Sequence, residues 1–245
     1  MQLIDLTLPI KHGVTGHPKP PYRDRPTKVE FVAASTQDDL LRLRERGFHV
    51  ATDAITGYPF PVTQFTLIAH PFTHIDTPLH IDIEGRGTEA LDLEATCGEA
   101  VVLDLGHKKP GESINAADLE AAGGDVDSEV IPIIHTGWTD RAWGTPEFYT
   151  RGIYFDYDAA DWFLERGVRA IALDCLPEVN VYDPNLRIDP SRLLHKRLLG
   201  GGLYIISNLT NLHKLPSRRV TLLALPLRIV GADAAPARVV AMSRI

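Results

Sequence analysis

Residues 70–80 read HPFTHIDTPLH and place His70, His74, Asp76 and His80 on even positions between two prolines. The backbone that carries these four groups decides what they can do. A helix fits poorly, because Thr73, Ile75 and Thr77 are β-branched and Pro78 removes a helical hydrogen bond. On an ideal helix Asp76 also points away from His70 and His74. In a strand all four share one parity and one face, yet at ~3.3 Å per residue positions 70 and 76 lie ~20 Å apart. Ligands of one ion must approach it to ~2.0–2.2 Å. A metal site here therefore requires the chain to curl sharply at the end of a strand, and Pro71 and Pro78 suit such a break. Strand ends are also where open α/β sheets place their sites.

Two imidazoles and a carboxylate leave coordination positions open on Zn²⁺, Mn²⁺ or Fe²⁺. Such an ion lowers the pKa of bound water towards ~7 and stabilises a developing oxyanion. One more imidazole just beyond the cluster, His80, suits a general base near neutral pH. The alternative is a polar turn whose histidines are only hydrogen-bonded.

Outward from this stretch, VTQFTLIAH (62–70) reads as a strand leading into it, and LIDLTLPI opens the chain as another. AVVLDL (100–105), EVIPIIHTG (129–137), VRAIALD (168–174), LYIIS (203–207), RVTLLALPL and ARVVAMS have the β-branched, apolar character of buried strands. Helical spacing marks DDLLRLRERG (38–47), the NAADLEAAG segment, YDAADWFLERG (157–167) and SRLLHKRLLGGG (191–202), the last ended by glycines. GVTGHPKPPYRDRP (13–26) is a proline- and glycine-rich loop. Strands alternate with single helices, without an internal repeat or a linker between cores. The expectation is one α/β domain over residues 1–245 with a mixed sheet.

Composition narrows the partners. The 245 residues carry 25 Lys plus Arg against 32 Asp plus Glu, a formal charge of −7, which disfavours nucleic acid and anionic membrane surfaces. No apolar run approaches the ~20 residues of a membrane span, and MQLIDLTLPI lacks a basic signal-peptide n-region. The two cysteines, Cys97 and Cys175, form no CxxC pair. A small-molecule substrate and a cytoplasmic location are the expectations.

The motif resembles the HxGTHxDxPxH hallmark of the cyclase family that includes bacterial kynurenine formamidases and isatin hydrolases. His70, Thr73, His74, Asp76, Pro78 and His80 stand in register. IDLTLPI, HTGWTDRAWG (135–144), DWFLERGVRAIALD (161–174), LLHKRLLGGGLYIISNLTNL (193–212) and GADAAPARVVAM (231–242) fall where such sequences carry similar blocks. The resemblance implies a swivelling β/β/α fold, a homodimer or homotetramer, and a divalent metal held by His70, His74 and Asp76. It makes His80 the catalytic histidine and brings His195 from a later helix to the site.

Two departures from that pattern stand out. The family glycine before Thr-His is Phe72, so the turn or the pocket wall must differ. Where two-metal formamidases carry a glutamate, twelve residues after the helical histidine, this chain has Ser207, a far poorer ligand. One metal per chain, Mn²⁺ or Zn²⁺, is therefore expected. Phe72, Ser207 and Asn208 are assigned to the substrate pocket. Asp174, Cys175 and Glu178 follow a strand end, and Glu178 could replace a missing ligand. His135 is a candidate pocket wall, and His12, His17 and Tyr22 lie in a loop that in this family can cover the site. His49, His107 and His213 receive no functional role. The reading is a metal-dependent hydrolase of a formamide or cyclic amide or imide. The alternatives are a cyclase or dehydratase acting on a polyketide-like molecule, and a non-catalytic metal-binding protein.

Overall fold

A computed structural model of the chain describes residues 1–178 and 193–243. In chain order its elements begin with β1 (Gln2–Asp5), β2 (Lys28–Ala33), α1 (Gln37–Glu45), β3 (Val62–Thr66), β4 (His74–Asp76), α2 (Leu93–Thr96) and β5 (Cys97–Asp104). They continue with β6 (Ser113–Ile114), α3 (Ala116–Gly123), β7 (Ile131–His135), α4 (Trp138–Ala142), α5 (Glu147–Thr150) and β8 (Tyr154–Phe155). The last are α6 (Tyr157–Glu165), β9 (Ala170–Leu173), α7 (Leu194–Gly200), β10 (Tyr204–Ser207), β11 (Arg219–Pro226) and β12 (Ala234–Ser243).

Residues fall into two compact units, Met1–Leu8 with Phe72–Ile245, and Pro9–Pro71. In the larger unit the sheet runs β1-β12-β11-β5-β7-β9-β10-β4, and β4 pairs again with β12, so seven of these strands close on themselves. The fold class is mixed α/β, as the sequence predicts. The β5-β7-β9-β10 stretch is parallel, and β4, β11, β12 and β1 pair antiparallel.

Period-two alternation sorts the parallel strands onto two cores. Ala100, Ile131, Ile133, Ala170, Ala172, Tyr204 and Ile206 point into one cluster, with Ile75, Val220, Leu222 and Val239. Their neighbours Val101, Leu103, Ile134, Ile171, Leu173 and Ile205 point into the other, under Leu119, Trp162, Phe163, Leu198 and Leu199 from the helices. Burial on both faces explains why these strands read as continuous apolar runs. β11 has a single fully buried face, with Val220, Leu222 and Ala224 buried between exposed or half-buried positions.

The smaller unit holds the two-stranded β2-β3 sheet and α1, whose Thr36 and Asp39 form a reciprocal N-terminal cap. The expected strand over 62–70 is shorter than predicted. β3 stops at Thr66 and pairs with β2, and the histidine motif carries its own three-residue strand. On the later helix, residues 191 and 192 lie outside the described residues, and α7 begins at Leu194.

Candidate active site

β4 supplies the centre of the site. Ile75 belongs to the interior cluster, so alternation turns its neighbours His74 and Asp76 to the opposite, helix-bearing face. Both are buried, His74 at 4% and Asp76 at 1% exposure, which excludes competing water from the pair. The curl that the spacing requires occurs on both sides of the strand. His70 precedes it by a proline-containing turn, and His80 ends the 3-10 turn Pro78–His80 that follows.

His70, His74 and Asp76 each offer one ligating atom, all within 4.8 Å of one another. The His74 imidazole Nδ1 lies 2.6 Å from the carbonyl oxygen of Phe72. A carbonyl only accepts, so Nδ1 carries the proton and Nε2 is left to face Asp76 Oδ1 at 3.2 Å. Neighbouring ligands on an ion with ~2.1 Å bonds stand about this far apart. Two nitrogen donors and one carboxylate also match the chemistry of borderline divalent ions. The residues present therefore fit a divalent metal. A second donor group, His70, His80 and Asp233, meets the same distance limit and shares His70 with the first.

His80 Nδ1 lies 2.8 Å from Asp233 Oδ2. Asp233 stands immediately before β12, and its carbonyl accepts from both the backbone N–H and the hydroxyl of Thr77, at 3.0 and 2.9 Å. The carboxylate that orients His80 is thus tied to the end of the motif strand itself. Asp233 was not identified from the sequence. It lies 153 residues from His80, inside the GADAAPAR block, where no local pattern marks it.

His195, on the first turn of α7, reaches the same face. Glu178 Oε1 accepts from its backbone N–H at 2.8 Å and pairs with its Nδ1 at 2.9 Å. Its Nε2 stands 3.7 Å from Asp76 Oδ2, a charge contact longer than a hydrogen bond. The rings of His80 and His195 meet edge to face at 5.4 Å. Burial favours a neutral His195, but the Asp76 and Glu178 carboxylates on either side outweigh it and raise its pKa to about 10. Burial likewise raises Glu178, and its hydrogen bonds to His195 prevail and hold it below the ordinary value. Glu178 thus reaches the site through His195, a question the sequence left open.

The three residues assigned to the pocket have definite positions. Ser207 is buried and sits directly across from His74 in the β10-β4 register. Asn208 is buried too, and its side-chain Nδ2 donates to the Phe72 carbonyl at 3.1 Å. The Phe72 side chain is fully buried, its ring 5.5 Å from that of Trp143. It therefore fills core space, and its backbone carbonyl is the part that touches a site residue. Phe72 also needs no glycine-like conformation. Among the described residues, Asn208 and Asn211 are the non-glycine positions with positive φ.

Of the other candidates, Asp174 is buried under three donors, the backbone N–H and hydroxyl of Thr136 and the N–H of Gly137, each at 2.7 Å. It anchors the turn into α4. Cys175 is fully buried, and burial beside Asp174 pushes its thiol well up, so it is no nucleophile. His135 ends β7 and lines an open groove with Leu212, His213 and Arg218. In the smaller unit, His12 stacks on His49 at 3.6 Å, and His17 meets Tyr22 edge-on at 6.3 Å.

A family model described as "Putative cyclase" matches residues 4–177. The chain belongs to the cyclase family. A kynurenine formamidase of Geobacillus thermodenitrificans is 35% identical over 179 residues, covering 72% of this cyclase-family chain and 78% of the relative. A kynurenine formamidase of Salinibacter ruber is 32% identical over 181 residues, covering 71% and 76%. Among solved structures, an isatin hydrolase bound to the product analogue thioisatinate superposes with a TM-score of 0.76 at 18% identity, covering 100% of this chain and 93% of that one. Isatin hydrolase A from Ralstonia solanacearum gives 0.72 at 21%, covering 98% and 91%. These two likenesses establish the shared cyclase-family fold.

Proposed function

We propose that the chain is a metal-dependent hydrolase that cleaves a non-peptide C–N bond in a small molecule, a formamide or a cyclic amide or imide. The observation that carries this reading is the buried His74–Asp76 pair, with His70 and the His80–Asp233 couple beside it, in a chain whose relatives include kynurenine formamidases. His70, His74 and Asp76 hold one divalent ion, Mn²⁺ or Zn²⁺, per chain. Bound there, the ion supplies a Lewis acid that polarises the amide carbonyl and acidifies water.

The chain's own residues move the proton. Asp233 fixes the proton of His80 on Nδ1, so Nε2 is the atom that accepts a proton from water and returns it to the departing nitrogen. His195, fixed by Glu178, presents its second nitrogen on the same face, where an N–H donor favours the negative charge that develops on the substrate. Ser207 faces His74 where the two-metal formamidases carry a glutamate, which supports a single ion. The shared use of His70 by both donor groups points the same way.

The proposal extends to one catalytic domain over residues 1–245, since the family match crosses from the first unit into the second and back. It also takes the chain as a homodimer or homotetramer in the cytoplasm, with a small-molecule substrate and no nucleic-acid or membrane partner. Two free thiols and a charge of −7 support that setting. No helix among the described residues is long and apolar enough to cross a membrane.

The test is metal analysis of protein purified without chelators, followed by hydrolysis assays on N-formylkynurenine, isatin, cyclic imides, lactams and lactones. About one divalent ion per chain and turnover of a formamide or cyclic amide is the expected result. A chain without affinity for Mn²⁺ or Zn²⁺ defeats the reading. Bound metal with no hydrolysis of any compound in the series favours the cyclase or dehydratase alternative, or a non-catalytic one.

A further inference from the structure

Asn208 follows the last residue of β10 in the left-handed conformation, with φ of 59°. Asparagine tolerates this region better than most side chains, but glycine alone enters it freely. Backbone geometry by itself therefore favours glycine here, and a side chain at this position needs a reason of its own.

That reason is visible in what Asn208 holds. Its Nδ2 donates to the Phe72 carbonyl at 3.1 Å, and its own backbone carbonyl accepts from the Thr73 hydroxyl at 2.7 Å. The same hydroxyl accepts from the Leu8 N–H at 2.8 Å, and the Thr73 carbonyl accepts from Ala237 N–H at 3.0 Å. Phe72 and Thr73 are thus held by three separate segments, at Leu8, Asn208 and Ala237. The Phe72 carbonyl is also the group that accepts from His74 Nδ1, at 2.6 Å. The carbonyl has two acceptor sites, and Asn208 and His74 use one each. The amide orientation follows from chemistry, since a carbonyl acceptor demands the NH₂ end.

We propose that Asn208 is a positioning residue for the metal-ligating His74, acting through the Phe72 carbonyl rather than on substrate. This inference rests on the metal site described above. By fixing where the carbonyl points, Asn208 fixes the His74 tautomer and the aim of Nε2 towards Asp76. Groups that orient a ligand's other ring nitrogen control metal affinity in this way. The role differs from lining a pocket, because a substrate contact affects substrate binding and leaves the ion's affinity alone.

The deciding variant is Asn208→Gly, which keeps the left-handed backbone and the carbonyl bond to Thr73 while removing only the amide. Asn208→Asp serves beside it, with similar shape but an acceptor where the donor was. Full-length variant and wild-type chains are titrated with Co²⁺, read by visible absorption, and the imidazole ¹⁵N shifts of His74 are recorded on the metal-free proteins. Expected are a roughly 10- to 100-fold weaker Co²⁺ affinity in both variants and loss of the single Nδ1–H tautomer of His74. Unchanged Co²⁺ affinity with a raised KM in a folded variant would overturn the inference and restore a substrate contact. An Asp76→Asn chain that takes up Co²⁺ as well as the wild type defeats the metal site itself, a separate failure. If glycine prevents folding, the aspartate variant decides alone on the same two readouts.

Discussion

His80 combines three features at one residue: a position at the end of a 3-10 turn, a partly exposed ring and a carboxylate partner on Nδ1. Replacing it with alanine removes the proposed proton carrier but none of the His70, His74 and Asp76 donors. Turnover should fall about 10²- to 10⁴-fold while Co²⁺ titration still reports binding; a His80→Ala chain with full turnover refutes the assignment. His17 gives a pH prediction of a different kind. Burial, and then the neighbouring Lys19, push its pKa down to about 4, against 6.5 for an ordinary histidine. Between those values the unfolded chain binds a proton that the folded chain does not. This residue's contribution is therefore fully present above pH 6.5 and is lost as pH falls towards 4. Urea unfolding of the wild type and His17→Asn at pH 4.5 and 7 checks it, with a shallower pH dependence expected in the variant. Sequence reading recognised the motif residues because each carries its chemistry in its side chain. It missed Asp233, whose significance comes from a partner 153 positions away.

At the scale of elements, the apolar runs located six of the seven strands of the closed sheet, β5, β7, β9, β10, β11 and β12, because buried strands are apolar and β-branched. They did not locate β4, whose three residues carry a histidine and an aspartate. The reading of 62–70 as one strand into the motif failed for a physical reason. Composition reports a preference for extended backbone, and it does not report which sheet an extended segment pairs with. Two elements make predictions of their own. Asn115 caps α3 by accepting from Asp118 N–H at 3.0 Å, so Asn115→Ala should cost about 1 kcal/mol of stability in urea unfolding. Gly85 packs against the turn that carries His80. A Cβ there would meet the Pro78 carbonyl carbon at 2.6 Å and the Leu79 nitrogen at 2.7 Å, backbone atoms that cannot rotate away. Gly85→Ala should displace the turn, costing about 1–3 kcal/mol and lowering turnover with it. A variant of wild-type stability and rate would show that the turn yields freely.

For the whole molecule, β4 carries two of the proposed ligands, His74 and Asp76, and is also the strand that closes the sheet, pairing with β10 on one side and β12 on the other. The proposed metal binding would therefore be coupled to sheet closure. An ion that binds only the folded chain should raise its stability by about 2.7 kcal/mol at a free concentration of 100 Kd. A thermal melt with Mn²⁺ or Zn²⁺ and with a chelator measures the difference, and coincident curves would contradict the coupling. The sequence by itself determined the α/β class, most of the buried strands, the helices α1, α3, α6 and α7, and the types of donor that the motif offers. Those properties follow from local periodicity and side-chain chemistry. Only the tertiary structure decided that Phe72 belongs to the core, that Asp233 and Glu178 orient the two histidines, and that Asn208 grips the peptide behind His74. Each of these is a contact between residues that lie apart in the chain. Such contacts exist only once the sheet has closed, so no spacing along the sequence could record them.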